Sequence, residues 1–217
     1  MKKGLTELVF ILDKSGSMGG LETDTIGGYN SMLAKQQALE GECYITTVLF
    51  DNKYELLHDR IDIKAVSAIT FKQYTVGGST ALLDAIGITI NKIGNVQKHT
   101  ADDYRAEKVM FIIITDGQEN SSHEYTSDKV KALIEQQKTK YGWEFLFLGA
   151  NIDAVETASR FGIASNRAQN YHADSKGVKL NYFMMSNAVA SFRESDSIPE
   201  DWNEEIKKDY ESRGGKK

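Results

Sequence analysis

The chain has 217 residues, 41% of them apolar and 26% charged, which is enough material for one self-sufficient core. Its net charge of −5 speaks against a nucleic acid partner, because phosphate binding needs a basic footprint. The single cysteine, Cys43, excludes an internal disulfide and a multi-cysteine zinc site, and no apolar stretch reaches the ~20 residues that span a membrane.

In chain order, the start Met1-Lys2-Lys3 is basic, but the apolar run that follows, residues 8–12, is too short for a signal peptide and is cut off by Asp13. It reads as a first strand. With no export signal and no disulfide framework, the reducing cytoplasm is the expected compartment. Ile26, Tyr29, Met32 and Leu33 share a helix face. Residues 44–50 form a second strand, and the polar turn Asp51-Asn52-Lys53 leads into Tyr54-Glu55-Leu56-Leu57 as a hairpin. Leu82, Leu83, Ile86, Ile90 and Ile93 mark another helix. Strands are expected at 109–115 and 143–148, with a weak sixth at 167–172. Helix faces follow at Val130, Leu133 and Ile134, and at Val155, Ala158 and Phe161. A long last helix over 178–192 carries Leu180, Phe183, Met184, Val189 and Phe192, capped by Asp174 or Ser175.

Nearly continuous apolar strands alternating with amphipathic helices predict an α/β fold. The expected form is a doubly wound, mostly parallel six-stranded sheet with one antiparallel edge strand and helices on both faces. It fills residues 1–195. Residues 196–217 form a charged tail, in which Trp202, Ile206 and Tyr210 at four-residue spacing make a short helix that frays into a disordered Gly-Gly-Lys-Lys end, the alternative being a helix that docks on the domain or on a partner.

The chemistry concentrates at three loops. Asp13-Lys14-Ser15-Gly16-Ser17-Met18 follows the first strand, and open α/β sheets build their sites at the carboxyl ends of strands. Gly77-Gly78-Ser79-Thr80 precedes a helix, and Asp116-Gly117 ends the strand at 109–115. Together they supply two carboxylates and three hydroxyls. These are hard oxygen donors, suited to Mg²⁺ or Mn²⁺ and unsuited to Zn²⁺. Five protein groups leave a coordination position open, and two carboxylates leave the ion electrophilic enough to take an external carboxylate.

D-x-S-x-S after the first strand, Gly-Gly-x-Thr before a helix and T-D-G after a later strand together resemble the von Willebrand factor type A domain over residues 5–195. The resemblance implies a metal-ion-dependent adhesion site in which Ser15, Ser17 and Thr80 coordinate the metal. Asp13 and Asp116 complete its shell, partly through water. The phrases Asp24-Thr25-Ile26-Gly27-Gly28-Tyr29-Asn30-Ser31, Gly78-Ser79-Thr80-Ala81-Leu82-Leu83-Asp84-Ala85 and Thr115-Asp116-Gly117-Gln118-Glu119-Asn120 are similar to small stand-alone bacterial cytoplasmic members. The ion implied is Mg²⁺, with Mn²⁺ or Ca²⁺ as substitutes. The partner implied is an unidentified protein offering an Asp or Glu side chain, with neither nucleic acid nor membrane involved.

Other residues near these loops have competing roles. Thr80 is also placed to cap the helix starting near Ala81, and Asp84 is a helix residue near a positive N-terminus. Met18, Ser79, Glu119, Asn120, His123, Asn151 and Asp153 are candidates for a rim that selects partners; the loop 119–123 otherwise serves to cap the following helix. An enzyme is disfavoured. Ser15 stands where a haloacid-dehalogenase-type phosphatase has its second acid, the glycine loops lack the Walker lysine and the Rossmann spacing, and none of the four histidines stands near in sequence to activate Ser15 or Ser17. The alternatives to a metal-dependent interaction module are a Mg²⁺-dependent phosphohydrolase and a structural subunit with a vestigial site.

Overall fold

Leu8 to Leu12 are all fully buried, which a strand can achieve only in the middle of a sheet covered on both faces. A computed structural model, describing residues 1–215, puts them there. Strand β1 (Lys2–Asp13) pairs in parallel with β2 (Cys43–Phe50) on one side and β4 (Ala106–Thr115) on the other. β5 (Glu144–Gly149) and the three-residue β6 (Ala168–Asn170) extend the sheet in parallel beyond β4. β3 (Tyr54–Asp62) closes the other edge antiparallel to β2, so the order is β3-β2-β1-β4-β5-β6. The fold is thus the mixed six-stranded α/β sheet expected from the apolar runs, with five parallel strands and one antiparallel edge strand.

The period-two alternation of the strands feeds two cores. Leu8, Phe10, Leu12, Met110, Ile112 and Ile114 face one side, where α1 (Glu22–Gln37) and α5 (Ser175–Ser195) pack. Val9, Ile11, Phe111, Ile113, Phe145 and Phe147 face the other, under α2 (Leu82–His99), α3 (Ser127–Tyr141) and α4 (Ala154–Arg160). Gly28 brings α1 and α5 into close approach: a Cβ there would lie 2.4 Å from the Tyr182 ring.

Several local expectations change. Val155 is exposed, because Asp153 caps α4 through the Glu156 amide and that phase turns Ala154 inward in its place, while Ala158 and Phe161 are buried as expected. In α5 the buried stripe runs through Tyr182, Met185, Val189 and Phe192; Phe183 lies about 100° round the helix and is exposed. Asp174, and not Ser175, caps α5 by accepting from the Gly177 amide.

The charged segment set apart as a tail holds α6 (Glu204–Ser212), and it is packed on the domain. Trp202 and Ile206 are buried in the α1–α5 core, and the Trp202 indole donates to the Asn166 carbonyl. Few apolar residues in a charged segment were enough because they fall on one face. Of the Gly-Gly-Lys-Lys end, Lys216 and Lys217 lie outside the described residues. Among the described residues no helix is long and apolar enough to cross a membrane.

Candidate functional site

The parallel register of β1 and β4 carries their carboxyl ends to the same edge of the sheet, so Asp13 and Thr115-Asp116 arrive side by side. Beyond Asp13 the chain turns through a short 3-10 segment, Gly16–Met18. That turn is tied to the third loop, since Gly16 N donates to Gly78 O (3.0 Å) and Gly77 N donates to Lys14 O (2.9 Å). Gly78 sits at φ 74°, a left-handed conformation that favours glycine, and a Cβ there would push aside the exposed Asn52 side chain, whose Oδ1 would lie 2.4 Å away.

The five residues singled out by the three motifs converge. Ser15 N donates to Asp13 Oδ1 (2.7 Å), Ser15 Oγ and Ser17 Oγ lie 3.1 Å apart, and Ser17 Oγ donates to Asp116 Oδ1 (2.6 Å). Gly117 locates the fifth. A Cβ built on it would lie 3.1 Å from Ser17 Oγ, 3.2 Å from Thr80 Oγ1 and 4.0 Å from Ser15 Oγ. Three hydroxyls therefore surround a point that only glycine leaves free. Asp13, Ser15, Thr80 and Asp116 are buried, and Ser17 is exposed at the mouth.

Charge is unbalanced here. Burial raises the Asp13 carboxyl above its ordinary value, against the opposing hydrogen bonds from Ser15 and Thr115. Burial pushes Asp116 up to about 6; the Ser17 hydroxyl opposes this and the Asp13 charge adds to it. Neither carboxylate has a salt-bridge partner among the described residues. Lys14, the basic residue of the first loop, turns away to Glu55 (3.0 Å) and Asp51 (3.6 Å). Asp116 Oδ2 is buried with no hydrogen-bond partner among the described residues. Such an atom costs free energy unless something positive meets it.

The donor set fits a small hard cation. Two carboxylates and three neutral hydroxyls are the oxygen ligands Mg²⁺ and Mn²⁺ take, and the orphaned Asp116 oxygen and the cradle over Gly117 are where such an ion would gain most. No group of three or more His, Cys, Asp and Glu among the described residues could hold a metal, so the serine and threonine hydroxyls would be essential.

The proposed rim is only partly a rim. Met18 is 2% exposed and belongs to the α1–α5 core, because the 3-10 turn directs its apolar side chain beneath the loop. Glu119 and Asn120 turn back onto α2: Glu119 Oε2 accepts from Leu83 N (2.8 Å) and Asn120 Oδ1 accepts from Thr80 N (2.9 Å). They serve the preceding helix, while Thr126 caps the following one. Asp153 caps α4. Ser79 is half-buried, and His123 and Asn151 are exposed, Asn151 at φ 56°. Thr80 is relieved of its competing role, since Ala81 holds the N-cap position of α2.

Three contributors went unnoticed in the motifs. Thr115 Oγ1 donates to Asp13 Oδ2 (2.5 Å), Tyr74 OH donates to the Asp13 carbonyl (2.5 Å), and Gly117 leaves the cradle open. Thr115 and Gly117 flank Asp116 directly and were open to inference from T-D-G. Nothing in the sequence marks Tyr74.

Sequence comparison finds no matching family model and no matching curated protein. Solved structures do match. A von Willebrand factor type A protein from Catenulispora acidiphila superposes with a TM-score of 0.58 at 14% identity, covering 84% of this chain and 42% of that one. The ArnB paralog VWA2 from Sulfolobus acidocaldarius gives 0.53 at 17%, covering 85% and 45%. The manganese-loaded TRAP protein of Plasmodium vivax gives 0.56 at 16%, covering 83% and 72%. This chain thus spans less than half the length of the first two. Identities this low speak for architecture alone, and the architecture is a von Willebrand factor type A fold.

Proposed function

We propose that the chain is a divalent-metal-dependent interaction module. Asp13, Ser15, Ser17, Thr80 and Asp116 hold Mg²⁺ or Mn²⁺ as a metal-ion-dependent adhesion site, and a partner protein completes the shell with an Asp or Glu carboxylate. The observation that carries this is the buried, unpartnered Asp116 Oδ2 beside a ring of three hydroxyls. A cation is the partner it lacks. The manganese named for the Plasmodium TRAP structure supports a divalent ion as a ligand of this kind of fold. Binding is favoured over turnover because the serine hydroxyls are committed to each other and to Asp116, with no histidine hydrogen-bonded to either.

The protein's own residues would act as follows. Ser15, Ser17 and Thr80 present neutral oxygens, Thr115 and the Ser15 amide fix the Asp13 carboxylate, and the exposure of Ser17 leaves the approach open. With only two negative ligands the site is neutral overall, and the ion remains a Lewis acid able to take a third carboxylate at an open position despite the acidic chain around it.

Calorimetric titration with Mn²⁺ tests the site, and the paramagnetic resonance of bound Mn²⁺ on adding a Glu-containing peptide tests the open position. Wild type should bind Mn²⁺, with the signal altered by the peptide. Asp13→Ala should bind at least about a hundredfold more weakly with its circular dichroism unchanged. Equal Mn²⁺ affinity in Asp13→Ala and wild type would falsify the assignment.

A further inference from the structure

The loop that carries Asp116 and the helix that follows Thr80 are bound together by an exchange of carboxylates. α2 begins without a side-chain cap of its own, because its N-cap residue is Ala81. Its open amides are satisfied from the loop after β4. Glu119 Oε2 accepts from Leu83 N (2.8 Å) and Ser122 Oγ accepts from Asp84 N (3.0 Å). The same Glu119 carboxylate gathers its own loop, accepting from Ser121 N (2.9 Å), Ser122 N (2.7 Å) and Ser122 Oγ (2.7 Å). In return, the Asp84 carboxylate on α2 accepts three successive amides of that loop: His123 N (2.8 Å), Glu124 N (2.9 Å) and Tyr125 N (2.8 Å).

Between the two carboxylates, Thr80 and Asn120 are bonded twice. Thr80 N donates to Asn120 Oδ1 (2.9 Å) and Asn120 N donates to Thr80 O (3.1 Å). One turn along α2, the Tyr125 ring lies on Gly87, where a Cβ would meet it at 2.2 Å, and Asn91 Nδ2 donates to Tyr125 OH (2.8 Å). The whole 119–125 segment therefore rides on the first three turns of α2.

We propose that Asp84 and Glu119 are positioning residues for the metal site. As a reciprocal clamp they fix Thr80 against Asp116, and so set the affinity for a divalent ion without either carboxylate touching it. This rests on the metal-site reading above. Glu119 is three residues beyond Asp116 and Asp84 four beyond Thr80, so each sits on a short, stiff lever from a ligand. Both carboxylates lie at the positive end of α2, where a negative charge is favoured. The exchange also has a chemical benefit. A threonine just before a helix commonly spends its hydroxyl on the cap. Here the helix is capped from another loop, and Thr80 Oγ1 stays available beside Ser17 and Gly117. A metal site tolerates displacements of only about 0.5 Å, so slack in this clamp reads directly as lost affinity.

The test uses the full chain and Mn²⁺ alone, by calorimetry, with thermal melting and amide hydrogen exchange measured alongside. Glu119→Ala should weaken Mn²⁺ by about tenfold to a hundredfold. Glu119→Gln should recover part of that, because its carbonyl oxygen still accepts. Asp84→Asn should weaken binding and speed exchange of the amides of residues 123–125. Glu124→Ala, which removes a neighbouring charge but no clamp contact, should stay within about twofold, separating geometry from long-range attraction. The clamp is overturned if Glu119→Gln and Asp84→Asn both fold and bind Mn²⁺ as tightly as wild type; these two also decide the matter should Glu119→Ala not fold. If wild type itself fails to bind Mn²⁺, the metal reading falls and the affinity claim with it. Faster exchange at residues 123–125 in Asp84→Asn would then show that only the fastening survives.

Discussion

Strand β1 carries two buried carboxylates, one in its middle and one at its carboxyl end, and the two are treated in opposite ways. Glu7, in the middle, is fully buried, and it receives a cation. Arg60 Nε lies 2.8 Å from Oε1 and 3.0 Å from Oε2, and Gln97 Nε2 donates to Oε2 (2.8 Å). Arg60 reaches it from a distorted position in β3, at φ 50°, next to irregular pairing with β2. Asp13, at the far end, is 1% exposed and is given only neutral donors, the Ser15 amide and the Thr115 hydroxyl. A second carboxylate, Asp116, is then placed beside it with one oxygen unpartnered. A buried charge that is paired belongs to the fold's own economy; a pair of buried carboxyls with no cation beside them among the described residues is what the metal-site proposal rests on.

Substitution separates the two ends. The largest effect is expected at Glu7: Glu7→Ala leaves the half-buried Arg60 and the buried Gln97 without their acceptor and should cost about 3 kcal/mol in urea unfolding, with or without metal. A loss under about 1 kcal/mol would mean that Glu7 is not the anchor described. At the other end the sign reverses. Burial pushes Asp116 up to about 6, so the fold holds its proton more tightly than the unfolded chain does. Stability on that account declines as pH rises from about 4 to about 6 and stays reduced above. The neutral Asp116→Asn should thus be more stable than wild type at pH 7.5 without metal, by about 2 kcal/mol. Saturating Mn²⁺ should reverse the order, since it stabilises only the chain that binds it. An Asn variant less stable than wild type in EDTA would end the contrast. The smallest effect is on pH. Below about 6 a proton competes with the ion at Asp116, and Mn²⁺ affinity should fall about tenfold per pH unit. A flat profile from pH 7 to 5 would exclude Asp116 from the shell.

The sheet was readable because buried parallel strands must be apolar throughout, and the runs at β1, β2, β4 and β5 have no other comfortable reading. The convergence of the five residues was readable because Asp13, Ser15 and Ser17 are close in sequence and Thr80 and Asp116 each stand at an element end. What stayed hidden depends on partners distant in the chain. Glu119 looks like a solvated loop acid until the Leu83 amide, 36 residues earlier, is found against it. Met18 looks like a rim residue until its loop is seen to fold inward. α6 looks mobile because its residues are mostly charged; only the seating of Trp202 and Ile206 on the α1–α5 core shows otherwise.

The central position of β1 has a consequence for how the protein comes into being. The strand made first is flanked by strands made later: β2 on one edge and, only after Ala106–Thr115 has been synthesised, β4 on the other. At about 5–20 residues per second, the apolar edge of β1 waits some seconds on the ribosome without its second neighbour. Until that neighbour docks, Asp13, Ser15 and Ser17 are present in the nascent chain with nothing opposite them. On the metal-site reading, ion capture would follow the completion of the sheet's centre and could not help to build it.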